Sequence, residues 1–179
     1  TKQIDKLNYF ISFGRKSSLL IGILSAGLLI FVSSQLINFF EPTPNVSSKA
    51  ISYLILRSLG LPFYLLNMHS TAVLRGMKYP KITLYSSLIV GVSNVVLSYF
   101  LGIVLNFGIT GIAVSSSIAF FISSLYSTKV LIDTQTQTTN SVISEEKKEI
   151  SKKFFSVGFF IFIRSMFLTL FMAYLRNRA

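Results

Sequence analysis

Of the 179 residues, 51% are hydrophobic and 13% charged, and the mean hydropathy is +0.64. A soluble domain carries about 25% charged residues, whereas here whole runs long enough to cross a bilayer carry none. Together with the absence of cysteine, this excludes a soluble globular enzyme, a disordered tail, a disulfide scaffold and a thiolate metal site. What remains is an all-α, polytopic membrane protein. The formal charge of +11 would suit nucleic acid only if the basic residues shared one solvated face. They sit instead in short groups between apolar runs, as membrane loops do, so the expected partner is the lipid bilayer and not nucleic acid.

A spanning helix needs roughly 20 mostly apolar residues, and five segments qualify. The first, 17–40, is free of charge. The prolines of Glu41-Pro-Thr-Pro-Asn45 then break the chain, each removing an amide donor and restricting its predecessor. The second span, 50–74, carries Arg57, Pro62 and His69. A basic turn, Arg75 to Lys81, leads to the third, 82–105, and the tight turn Asn106-Phe-Gly108 to the fourth, 107–128; neither span contains a charge. Segment 133–153, rich in Thr, Gln, Ser, Glu and Lys, cannot bury enough apolar area to fold alone and reads as a linker, with a surface helix near Glu145 to Lys153. The fifth span, 154–175, carries Arg164. The chain opens on Thr1 and is expected to belong to a longer one.

On alternate sides of these spans, twelve Lys and Arg face three. By the positive-inside rule the amino-terminal segment, the Arg75 turn and the 133–153 linker lie on the cytoplasmic side or its organellar equivalent.

Residues three or four apart share a helix face. The third span thus aligns Thr83, Ser87, Gly91, Asn94 and Ser98; the second, Gly60, Tyr64, Asn67 and Thr71; the fourth, Gly108, Gly111, Ser115, Ala119 and, further on, Tyr126. Two explanations compete. Small residues let helices approach closely while hydroxyls bond across the contact, which suits Gly111-xxx-Ser115-xxx-Ala119. Alternatively, polar stripes on adjacent helices line a hydrated cavity, which suits Asn94 and Ser98 as well as close packing does.

Charges inside the membrane are costly and mark function by default. Arg164 falls about mid-span and always carries its charge. Arg57 is nearer the end of its expected span and reads as a snorkelling residue, and the lone His69 as an interfacial one. All six acids lie outside the five spans. No nucleophile–base pair, metal cluster or phosphate loop is legible, so neither catalysis nor a resident cofactor is expected.

Tyr53-Leu-Ile-Leu-Arg-Ser-Leu-Gly-Leu-Pro-Phe63 with Val73-Leu-Arg-Gly76 resembles the fourth helix and following turn of MATE (multidrug and toxic compound extrusion) transporters. Asn94-Val-Val-Leu97 resembles their fifth helix, and Gly108-Ile-Thr-Gly-Ile-Ala-Val-Ser-Ser116 the Gly-x-x-Gly-x-Ala opening of their sixth. Phe154-Phe-Ser-Val-Gly and Arg164-Ser resemble helix seven of the DinF-like branch, which includes plant plastid and citrate-exporting members. The resemblance implies helices three to seven of a twelve-helix, two-lobe transporter. Residues 1–132 would belong to the amino-terminal lobe, 133–153 to the cytoplasmic inter-lobe linker and 154–179 to the first helix of the carboxy-terminal lobe. It further implies export of organic solutes, xenobiotics or organic anions in exchange for H⁺ or Na⁺, in the plasma membrane or an organelle such as the plastid, with the remaining helices of the full-length transporter as partners. The cavity-lining residues would be Asn94, Ser98, Thr83, Ser87, Tyr64 and Asn67, with Arg164 as a lock or anion contact. Many DinF-like members carry Asp where Ser98 stands, and serine cannot exchange a proton near neutral pH. The rival expectations are a lipid-linked glycan flippase of the related superfamily, which would need several Arg or Lys aligned in a larger cavity, and a non-transporting scaffold, which would need no polar cavity.

Overall fold

The computed structural model describes residues 2–40, 43–134, 152, 156, 158, 160 and 163–167. All its regular structure among those residues is helical: α1 (Lys2–Asn38), α2 (Pro44–Ser58), α3 (Leu61–Gly76), α4 (Pro80–Ser98) continued by a π-helical turn (Tyr99–Val104), and α5 (Gly108–Thr134). Three of them are long and apolar enough to cross a membrane, and α2 with α3 forms a fourth if their bent pair is one span. The expected all-α polytopic membrane architecture is therefore observed. The chain divides into two compact units, Thr1–Gly14 with Gln137–Ala179, and Arg15–Thr136.

In the first unit, Tyr9 and Phe13 stack at 6.0 Å and Ile11 is fully buried. Helix α1 begins fifteen residues before the expected span, because 2–16 contains no proline and places Leu7, Ile11 and Gly14 on one stripe. A run of charge ends the membrane-compatible segment without ending the helix. The expected linker 133–153 lies outside the described residues except at 133, 134 and 152, as does the fifth span except at 156, 158, 160 and 163–167.

The second unit is organised around α5, which packs against α2, α3, α4 and the π-helical turn. The segment expected as one span over 50–74 is two helices meeting at 43°. Pro62 cannot donate to the carbonyl of Ser58, and its ring would clash there in a straight helix. Gly60 supplies the clearance on the inside of the bend: a Cβ there would lie 2.7 Å from Ser117 Oγ and 3.0 Å from its Cα. Pro62 in turn presses on α1, where a Cβ on Gly22 would come within 2.5 Å of the Pro62 Cα. The turns are made by residues in the left-handed region, Lys78 (φ 66°) after α3, Asn106 (φ 56°) before α5 and Gly108 (φ 56°) at its first position.

The π-helical turn widens α4 by one residue per turn, seen in the bond from Leu105 N–H to the Phe100 carbonyl (2.9 Å). It brings backbone onto backbone: a Cβ on Gly111 would meet the Leu101 carbonyl oxygen at 2.7 Å and Gly102 N at 2.9 Å. Gly111→Ala should therefore lower stability by about 1–3 kcal/mol, the usual cost of forcing an atom into a packed contact. Gly91→Ala is the control, since nothing lies within 4 Å of that position, and it should be neutral or stabilising. Unfolding of the full-length protein in detergent, followed by helical signal, reads the difference.

Candidate functional site

Two asparagines on neighbouring helices each gather three serine hydroxyls. Asn67, buried on α3, accepts at Oδ1 from Ser86 of α4 (2.9 Å) and from Ser127 (2.8 Å) and Ser123 (3.3 Å) of α5. Each hydroxyl has one proton to give. An assignment that satisfies all three sends the Ser86 and Ser127 protons to Asn67 Oδ1 and that of Ser123 to the Ser86 carbonyl (2.9 Å). Ser86 and Ser123 also lie 2.8 Å apart. The cluster continues outward through Thr71 to the Asn67 carbonyl (2.8 Å), Thr83 to the Thr71 carbonyl (3.3 Å), and Ser70 with Thr128 (3.1 Å). This is a sealed contact of three helices.

Asn94 makes the second hub. Its Oδ1 accepts from Ser98 (3.2 Å) on its own helix and from Ser115 (3.3 Å) and Ser116 (3.1 Å) of α5, while Ser98 and Ser115 are 2.6 Å apart. Ser115 is fully buried, but Asn94 and Ser98 are half-buried and border a groove. That groove, of about 570 Å³, is lined by Asn94, Val95, Ser98, Tyr99, Gly102, Ile103, Gly108, Ile109 and Ile112. Tyr99, Gly102 and Ile103 of this lining belong to the π-helical turn, and none of the lining residues carries a charge.

Of the residues singled out from the sequence, Asn94 and Ser98 thus lie together at the groove, and Ser115 joins them. Asn67 lies in the sealed hub eight helical positions away along α4, and Tyr64 is half-buried with its ring edge-on to Phe120 at 5.0 Å. Thr83 is half-buried and bonded to α3, whereas Ser87 and Gly91 are exposed. Arg164 is exposed within 163–167, in the other unit. Sequence reasoning passed over Ser86, Ser123 and Ser127, and placed Ser116 only at the end of a family motif. Ser116, Ser123 and Ser127 are spaced seven and four apart, which is one face of a helix, so a signal for them existed. Between the adjacent Ser86 and Ser87 there was none, since either fits a stripe through Asn94. Among the described residues no three His, Asp or Glu side chains come together as metal ligands.

The Asn67 hub should behave as a structural unit. Replacing Asn67 by Leu removes the acceptor of two buried hydroxyls at once, and should cost about 1–3 kcal/mol. Ser127→Ala removes one donor and leaves another to take its place, and should cost about 0.6 kcal/mol, the typical worth of an interhelical bond in a membrane. Urea or SDS unfolding of the full-length protein would show whether the two differ in that order.

The MatE family model matches residues 2–100, more than half of the chain. The chain is 34% identical over 109 residues to Protein DETOXIFICATION 43 of Arabidopsis thaliana, an overlap of 60% of this chain and 21% of that protein. It is 33% identical over 123 residues to Lipid II flippase MurJ of Thermosipho africanus (strain TCF52B), covering 66% of this chain and 26% of that protein. The chain thus spans about a quarter or less of the length of these curated relatives, and no solved structure matches it. With the spans, their order and the polar helix contacts in place, the family match is decisive for membership: this integral membrane chain belongs to the MatE family.

Proposed function

We propose that the chain forms part of the amino-terminal lobe of a secondary active transporter that exports an organic solute in exchange for H⁺ or Na⁺. The observation that carries this reading is the uncharged groove at Asn94 and Ser98, polar at one wall and lined in part by a π-helical turn. Polar side chains in a spanning helix are retained where they pair or line a pathway, and Asn94 is bonded to three serines and borders the groove. With Oδ1 taken up by the serine hydroxyls, the amide Nδ2 is the donor left for a solute. Such a groove suits a molecule bearing hydrogen-bond acceptors, organic anions included, better than a cation.

Ser98 cannot bind and release a coupling proton near neutral pH, so the coupling group belongs elsewhere in the full-length protein. The basic loops and the 133–153 linker would face the cytoplasm or its organellar equivalent, and Arg164 would serve the second lobe. The likeness to a protein named as a lipid II flippase supports a second reading, transfer of a lipid-linked glycan. The absence of Lys and Arg from the groove lining weighs against it, since that substrate class calls for a cationic cavity.

The test is solute flux in vesicles containing the full-length protein, with a proton or sodium gradient as the driving force. Asn94→Ala should slow uptake about tenfold per folded protein, the equivalent of one lost hydrogen bond to the solute. Ser98→Asp should add a dependence on pH that the native protein lacks at that site. Native, gradient-driven uptake left unchanged by both substitutions would remove this groove from the pathway, and movement of a lipid-linked glycan with no solute uptake would favour the flippase.

A further inference from the structure

Arg57 lies in the last turn of α2, just before the 43° break. It is thirteen residues beyond Pro44, about 20 Å along the helix at 1.5 Å per residue, within the bent pair that is apolar enough to be one span. Its Nη1 is sealed from solvent without a hydrogen-bond partner. Among the described residues, no hydrogen bond or ion pair engages the guanidinium.

The groups around it do not fill that vacancy of partners. Phe120 offers its ring face, with the guanidinium carbon 5.2 Å from the centroid, and Tyr64 braces the same ring. A ring face attracts the positive charge but leaves the planar fork of N–H donors unused. The carbonyls of the turn already have donors: Leu54 from Ser58 Oγ (2.6 Å), Ile55 from Leu59 N–H (3.4 Å), Leu56 from Ser117 Oγ (3.1 Å) and Arg57 itself from Gly60 N–H (3.2 Å). No acid occurs in α2, α3 or α4, and Asp133 of α5 is thirteen residues past Phe120. A guanidinium inside a membrane cannot shed its charge, and the group whose geometry matches its fork is a bidentate oxyanion.

We propose that Arg57 is one half of a membrane-embedded site for an oxyanion, a carboxylate or a phosphate, taken on the guanidinium N–H donors while the Phe120 ring lies against the guanidinium. The oxyanion comes either from an Asp or Glu elsewhere in the full-length protein or from a diffusible anion. The site would exist whether or not the protein moves a solute, so its test needs no transport.

Solid-state NMR on the full-length protein, labelled with ¹⁵N at the arginine guanidinium and reconstituted in a phosphorus-free galactolipid bilayer, reads the contact directly. Three samples separate the sources: ¹³C-carboxyl Asp and Glu, added ¹³C-carboxyl succinate, and added inorganic phosphate observed through ³¹P. The Arg57 resonance is assigned by its loss in Arg57→Lys or, if that variant does not fold, by its proximity to ¹³C-labelled Phe120. Dephasing from Asp or Glu carboxyl carbon supports an internal pair, and dephasing from succinate or phosphate supports a ligand site. Dephasing in none of the three, with the Phe120 contact intact, overturns the proposal.

Discussion

Lipid offers no hydrogen bonds, and that constraint orders everything else in these helices. Each buried hydroxyl or amide must find its partner within the protein, and the second unit meets this demand through two carboxamide oxygens. Asn67 and Asn94 together gather hydroxyls from α4 and α5, and the sealed positions of α5 are Gly111, Ala113, Ala119 and a series of serines more than large apolar residues. Phe31 and Phe39, by contrast, are 78% and 83% exposed. In water such an arrangement would be inverted. In a bilayer it is the expected one, because tails solvate phenylalanine as well as a protein core does, and helices gain from touching only where small residues allow close packing or where polar groups bond.

Backbone irregularity sits beside both hubs. Gly60 and Pro62 turn α2 into α3 seven and five residues before Asn67, and the π-helical turn begins immediately after Ser98. In each case the chain leaves straight α geometry where α5 comes within backbone contact, at Ser117 for Gly60 and at Gly111 for Leu101 and Gly102. The carbonyls released are reclaimed locally: Leu56 by the Ser117 hydroxyl and Leu101 by the N–H of Phe107 (3.1 and 3.2 Å). The serine and glycine content of α5 thus has two uses, bonding across the interface and making room for the bends that create the groove.

Much of this was legible in the sequence because it follows from runs and spacings. Charge-free runs located α4 and α5 closely, and Gly111, Ser115 and Ala119 announced a close contact by size alone. Other features were not legible, for definite reasons. Helix α5 continues to Thr134 through Lys129 and Asp133, since charge limits what lipid will hold and not what can be helical. Pro62 stood inside a run long enough for one span, so the break and its angle, which depends on Gly60 meeting Ser117, were not read. The π-helical turn has no proline to mark it; it is set by the contact of Gly102 and Leu101 with α5. Serine 86 and serine 87 differ by about 100° around the helix, too little for periodicity to separate when both fit a stripe through Asn94.

A hub without titratable groups has a mechanical consequence. Nothing in the Asn94–Ser98–Ser115–Ser116 cluster gains or loses a proton between mildly acidic and mildly basic pH, so its bonds hold equally on either side of an energised membrane. A gradient can shift a conformational equilibrium only by binding its ion differently to the two states. The cluster is therefore suited to keeping α4 and α5 rigid as one body while an ion acts elsewhere.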